Sequence, residues 1–178
     1  TSGNYTVPNV TQGQYTISIT LDDYSTYSFL GSMTAGQTTT VNGSISLQAP
    51  AMASVSVSNI TGYSATITWT TDQQASSLVE YGTTTAYGNS TSDPTLATSH
   101  SITVSNLTPG TTYHFSVAST NSHNLSSSST DSTFSTLSPP AISSVAAGNI
   151  ATDSATITWI TDQPSSSLVE YGTTTAYG

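Results

Sequence analysis

Apolar and polar residues alternate with period two in several short runs. In Ala65-Thr66-Ile67-Thr68-Trp69-Thr70, the residues Ala65, Ile67 and Trp69 face one way and the threonines the other. Tyr113-His114-Phe115-Ser116-Val117 repeats the pattern with Tyr113, Phe115 and Val117 inward, and is expected to partner the first run; Ile102 and Val104 mark a third. Upstream, Gly13-Gln14-Tyr15-Thr16-Ile17-Ser18-Ile19 reads as a strand, and Thr39-Thr40-Val41-Asn42-Gly43-Ser44-Ile45-Ser46-Leu47 as another that its Asn-Gly pair can bend or bulge. Turn signals separate the runs at Thr61-Gly62, Tyr81-Gly82, Tyr87-Gly88 and Pro109-Gly110. Short strands at close spacing, with no helical period, predict an all-β sandwich. Trp69, Tyr113 and Phe115 are its expected core.

The alternation also recurs on a larger scale. Residues 64–88 and 154–178 differ only at Thr70 against Ile160, Gln74 against Pro164 and Ala75 against Ser165. The offset is 90 throughout, and it extends back to Pro50 and Pro140 and to Asn59-Ile60 and Asn149-Ile150. Self-similarity at a fixed period is the mark of a repeat architecture. The chain therefore divides into 1–48, a complete unit over 50–138, and the first part of a second unit over 139–178, in which Trp159 takes the core place of Trp69.

Composition narrows the function classes. The 178 residues hold no Lys or Arg and nine Asp plus Glu, for a formal net charge of −9. Neutralising phosphates takes Lys and Arg, so nucleic acid is excluded as a partner, and anionic membrane surfaces are disfavoured for the same reason. No apolar run reaches the ~18 residues of a membrane span, so no membrane insertion is expected. With no cysteine there is no disulfide framework. Stability has to come from apolar burial and backbone hydrogen bonds, and 34% hydrophobic residues allow a modest core.

At this point the residues reach a known family. The second-strand tryptophan (Trp69, and Trp159 in the next copy), the Thr71-Asp72-Gln73 turn, Ser77-Leu78-Val79-Glu80-Tyr81-Gly82 and Asn106-Leu107-Thr108-Pro109-Gly110-Thr111-Thr112-Tyr113 resemble a fibronectin type III domain. The variety is the one seen in bacterial and archaeal surface proteins and beside purple acid phosphatases, although the metal-binding motifs of those enzymes do not occur here. The resemblance implies tandem immunoglobulin-like sandwiches, with an E–F corner where the Tyr113 hydroxyl bonds nearby backbone. The stretch Tyr5-Thr6-Val7-Pro8-Asn9-Val10 before Gly13-Gln14-Tyr15 resembles the latter half of a carboxypeptidase-regulatory-like (prealbumin-type) sandwich. Partial domains are thus expected at both ends. Either the polypeptide continues in both directions, or neighbouring chains complete the sandwiches.

The sequence carries no expected catalytic, metal or cofactor set. His100, His114 and His123 lack the spacing of a helical metal motif, and no Gly-x-Ser-x-Gly elbow or phosphate loop is present. His114 is expected to point outward from its strand, and Glu80 and Glu170 to face solvent. Asp22-Asp23 is the single adjacent acidic pair, read as a solvated turn in preference to a calcium site. What recurs is the N-glycosylation acceptor triplet, at Asn4, Asn9, Asn42, Asn59, Asn89, Asn106 and Asn124. A chain so rich in Ser and Thr forms such triplets by chance, and Asn149, the partner of Asn59, is not an acceptor. Residues 38–40, 83–85 and 126–130 offer sites for O-glycans. Tyr24, Tyr27, Tyr63 and Tyr87 are candidates for a sugar-stacking surface.

These observations point to a non-catalytic extracellular module of a tandem-repeat surface protein that forms a stalk, sheath or filament. Its partners would be neighbouring modules, other copies of itself, and attached glycans. The alternative is a spacer or carbohydrate-binding region of a large secreted enzyme or adhesin. The short, proline-bearing junctions at 48–50 and 138–140 suggest limited bending.

Overall fold

The structure is a computed structural model and describes residues 7, 9–21 and 23–177. It is all-β. The first sheet is a hairpin of β1 (Gly13–Ile19) and β2 (Tyr27–Met33), paired antiparallel from Gly13 opposite Met33 to Ile19 opposite Tyr27. The strand expected at 39–47 is corrected. That stretch forms no ladder; its β-pairing is an isolated bridge of Leu47 to Tyr24, beside which the Ser25 amide donates to the Ser46 carbonyl at 2.8 Å. Tyr27, Phe29 and Met33 supply the period-two face that pairs. Residues 42–43 instead lie across the Tyr27 ring, whose hydroxyl donates to the Asn42 carbonyl at 3.0 Å.

The central unit comprises β3 (Met52–Ser58), β4 (Ser64–Gly82), β5 (Asn89–Ser105), β6 (Thr112–Thr120), β7 (Ser126–Ser128) and β8 (Ser132–Ser135). β4 and β5 are long strands, and each serves two leaves. Residues 64–70 of β4 lie between β3 and residues 99–105 of β5. The β4–β5 register then breaks between Thr70 and Ala75 and again before Ser77. Beyond the break, residues 78–81 of β4 lie between residues 89–92 of β5 and β6, and β6 carries β7 and β8 on its other side. A single hydrogen-bonded path thus bends into a sandwich.

Two expectations change accordingly. The Tyr113–Val117 run does not pair with residues 65–70. Its residues 114–117 pair with 79–82, and the run faces 65–70 across the core. Thr71-Asp72-Gln73 is not a turn but stays in β4, at the register break.

Ala65, Ile67, Trp69 and Val104 from one leaf meet Val79, Phe115, Val117 and Phe134 from the other. Burying each large side chain contributes about 1.5–3 kcal/mol. The Trp69 indole donates to Ser119 Oγ at 2.9 Å and so ties the leaves together. Met52, Val55 and Val57 are the half-buried residues of β3, at a spacing of three and then two. A bulge at Ser54 (φ 58°) accounts for the extra residue. Tyr113 is buried, and its hydroxyl accepts from the Thr108 amide at 3.0 Å. Among the described residues, no buried side-chain nitrogen or oxygen lacks a hydrogen-bond partner.

A second hairpin follows, of β9 (Ile142–Gly148) and β10 (Thr156–Thr161). It reproduces the start of the sandwich at offset 90, down to the bulge at Ser144 (φ 54°) and the left-handed Asn149 (φ 49°, against 48° at Asn59). Trp159, the counterpart of Trp69, is half-buried among the described residues. Among the described residues no strand stands over it as β6 stands over Trp69, and residues 162–177 form no strand.

Candidate functional site

The sandwich has two poles. The entry pole gathers residues 48–51, the register break of β4 and the 121–125 loop. The exit pole gathers the β3–β4 turn, the β5–β6 corner and residues 136–138. Chain order sets this arrangement, because β3 starts opposite Thr71 and ends opposite Thr66.

The acceptor asparagines distribute over this frame. Asn4 lies outside the described residues, and Asn9, Asn42, Asn59, Asn89, Asn106 and Asn124 are all exposed. Four of them occupy left-handed backbone: Asn9 (φ 61°), Asn59 (48°), Asn106 (59°) and Asn124 (60°). Asparagine adopts that conformation more readily than most side chains, so each has a turn role of its own. Asn149 repeats the Asn59 turn without an acceptor triplet, which separates the two roles.

The four tyrosines do not share a face. Tyr63 is 66% exposed at the exit pole, where its carbonyl accepts from the Leu107 amide. Tyr24 packs edge-on to His123 at the entry pole, Tyr27 is bonded to the Asn42 carbonyl, and Tyr87 donates to Asp131 at 3.1 Å. Partial desolvation, then the hydrogen bond and charge of Asp131, raise the Tyr87 phenol above its ordinary pKa.

Each histidine has a separate environment. His114 Nδ1 is 2.7 Å from Asp131 Oδ2 on the sheet surface. His123 Nδ1 is 3.2 Å from both Asp23 Oδ2 and Ser122 Oγ. Acid and hydroxyl thus converge on one ring nitrogen, and no proton relay through the imidazole results. Asp22, the other half of the acidic pair, lies outside the described residues. Among the described residues no three His, Asp or Glu side chains gather as a metal site. Glu80 and Glu170 are exposed.

His100 is the residue that the strand patterning missed. It is buried and stacks on Trp69 with ring centroids 4.9 Å apart and planes 13° from parallel. The Thr71 hydroxyl donates to the Gln73 carbonyl at 2.7 Å, so it accepts from His100 Nε2 at 2.9 Å. Ser77 Oγ then donates to Nδ1 at 2.8 Å. This network holds a neutral imidazole, and burial lowers its pKa. The signal was available, because His100, Ile102 and Val104 continue one inward face.

The entry pole also holds polar contacts that recur. The Asp72 carboxylate accepts from the Ala51 amide at 2.7 Å, and Gln73 Nε2 donates to the Gln48 carbonyl at 3.3 Å. At offset 90, Asp162 accepts from Ala141 at 2.9 Å and Gln163 donates to the Ser138 carbonyl at 3.1 Å. Asn121 adds a second donor to Gln48, at 2.9 Å, and bonds Gln73 Oε1 at 2.8 Å. A groove of about 690 Å³ opens here, lined by Asp23, Tyr24, Gln48, Asp72, Gln73 and Ser122 among others.

The fibronectin type III domain model matches residues 48–135. Among solved structures, the sensor domain of the anti-sigma factor RsgI4 of Pseudobacteroides cellulosolvens is 29% identical over 51% of this chain and 91% of that one, with a TM-score of 0.39. A fibronectin type III domain from the human KIAA0970 protein is 22% identical over 49% of this chain and 73% of that one, with a TM-score of 0.39. A computer-redesigned β-sandwich protein is 29% identical over 52% and 98%, again with a TM-score of 0.39. No curated protein matches.

Proposed function

We propose, from the premise that residues 48–135 are a fibronectin type III domain, that this chain is a non-catalytic structural stretch of an extracellular tandem-repeat protein. Successive modules build a stalk, sheath or filament and carry N-linked glycans. In this reading residues 139–178 begin a second module, and residues 1–48 belong to a different sandwich.

The observation that carries the proposal is the near-identity of 64–88 and 154–178, with the same entry contacts and turns in both copies. An array selected for one repeated geometry keeps its repeats alike, because each unit packs only against its neighbours. Three further features support the reading. The Thr-rich faces of β4 and β5 are bound to one another, as in the 3.2 Å contact of Thr66 and Thr103. The described acceptor asparagines are open to solvent. The uniform acidic charge keeps copies soluble, and a chain without Lys or Arg offers trypsin-like proteases no cleavage site.

Electron microscopy of material from the native source, with intact-mass measurement, tests this. Ordered fibres with a regular axial repeat, and a mass above that of the polypeptide, are the expected results. Compact particles with one large globular head and an unmodified mass would end the reading in favour of an enzyme spacer. Glycopeptide mapping needs chymotrypsin or a glutamyl protease, since trypsin has no site here.

A further inference from the structure

We infer that the Thr-Asp-Gln element of each copy, Thr71-Asp72-Gln73 and Thr161-Asp162-Gln163, is a linker clamp that sets a fixed angle between consecutive modules. It sits at the head of the module, where the preceding linker arrives. Its carboxylate takes the amide of the residue after the linker proline, Ala51 or Ala141. The backbone closes the same ring, with the Asp72 amide donating to the Ala51 carbonyl at 3.2 Å and the Asp162 amide to Ala141 at 3.3 Å. Its glutamine then reaches past the proline to hold a carbonyl of the linker itself, Gln48 or Ser138. In the first copy Asp72 and Gln73 lie at the register break of β4, and in the second Asp162 and Gln163 lie just past the end of β10.

The opposite side of the second junction is pinned by the preceding sandwich. The Leu137 amide donates to the Thr61 carbonyl at 3.0 Å, and the Leu137 carbonyl accepts from Gly110 at 3.1 Å. Gly110, at φ 63°, packs against Ser138 so closely that a Cβ would lie 3.0 Å from its hydroxyl. Leu137 therefore belongs to one module and the carbonyl of Ser138 to the next. Only Pro139 and Pro140 lie between the Ser138 carbonyl and the clamped amide of Ala141. Each proline fixes its own φ and confines the residue before it to extended backbone. The joint keeps almost no soft torsion, and a row of such modules is a rod with one set rotation per unit.

The inference deepens the stalk reading, yet it concerns one joint and fails separately from it. With no native cysteine, spin labels at Ser101→Cys and Ser154→Cys report on the two modules in the full chain. Both positions are exposed. Pulsed dipolar spectroscopy is expected to give one narrow distance distribution in this labelled parent. Its width should grow roughly twofold when Asp162→Ala and Gln163→Ala are combined, the clamp being lost. Asp162→Asn, which keeps the acceptor oxygen, should stay narrow. Far-UV circular dichroism separates a loosened joint from a melted hairpin. Pro139→Gly with Pro140→Gly, which leaves the strand hydrogen bonds in place, must broaden the distribution as well. A broad parent distribution, or a parent width retained in the clamp variant, overturns the inference whether or not native material is filamentous.

Discussion

Residues 64–82 and 154–172 are nearly one sequence in two surroundings. In the first, Ile67 and Val79 have no exposed surface; in the second, Ile157 is 38% exposed and Val169 42%. The first is a single long strand of two leaves, whereas its replica is a strand only as far as Thr161. Pro164 in place of Gln74 removes one amide donor, but residues 167–172 are identical to 77–82 and still form no ladder. The difference is β6, which pairs with residues 78–82 and sends Phe115 and Val117 into the core. Local sequence here dictates the bulge, the turn and the clamp, which recur in both copies. The second leaf depends on a partner 38 to 40 residues downstream in the register, since Val79 pairs with Val117 and Leu78 with Ala118. Strand preference expresses a packing environment more than a backbone choice.

The largest effect that should break the symmetry is at the paired tryptophans. Trp69→Ala removes a buried ring, its bond to Ser119 and its stack on His100, and should cost about 3–5 kcal/mol. Trp159→Ala should cost less than about 1 kcal/mol, as a half-exposed site does. Urea unfolding of the full chain, followed by circular dichroism, makes the comparison. Equal losses would mean that the second copy is packed like the first. Fluorescence sharpens it without destabilising mutations: Trp159→Phe leaves a blue-shifted, quencher-protected Trp69, and Trp69→Phe leaves a red-shifted, accessible Trp159.

Tyr113→Phe comes next. It removes the oxygen that accepts from the Thr108 amide and should cost about 1–3 kcal/mol in the sandwich. Because Tyr113 lies on β6, Trp159 emission should not respond. A coupled change at Trp159 would show the two copies unfolding as one unit.

Acid should also separate the copies. Burial lowers the folded-state pKa of His100 below its ordinary 6.5, so the unfolded chain binds the extra proton more readily. The contribution to stability is complete above about 6.5 and falls as pH drops through that value toward the folded pKa. The melting temperature of the sandwich should therefore decline between pH 7.5 and 5. His100→Gln should flatten that decline, and an unchanged slope would assign it to other groups.

How much of this was legible beforehand follows the same division. The Trp69 and Tyr113 strands and the 90-residue repeat could be read because alternation, turn residues and self-similarity are in the sequence itself, whereas the Tyr113 corner came from the family resemblance. The family resemblance then arranged them as a sandwich. The strand predicted at 39–47 failed because its alternation of Ser44 and Ser46 with Ile45 and Leu47 meets a neighbour only at the single Tyr24–Leu47 bridge, while β2 hid its pattern behind Ser and Gly. Thr71-Asp72-Gln73 read as a turn because polar residues interrupt the apolar run. The chain stays extended there, and those residues are polar because they hold the linker. His100 belongs to no motif, yet its parity with Ile102 puts it on the inward face. Which acceptor asparagines serve mainly as turn residues needed backbone angles, which no triplet encodes.

The finest test of the comparison removes a single methylene from each copy. Ile67 and Ile157 occupy equivalent strand positions, opposite Val57 and Ala147 respectively. Ile67→Val leaves a small void among Trp69, Val104 and their neighbours and should cost about 0.5–1.5 kcal/mol, because a close-packed interior relaxes only in part. Ile157→Val should fall within about 0.5 kcal/mol of the parent, since water fills the space that the methylene leaves. The two variants share the same chemistry, strand and local bulge, so backbone propensity cancels between them. What remains is the cover that β6 and β8 place over one copy. Equal costs would show that β10 is enclosed in solution by something besides its own hairpin.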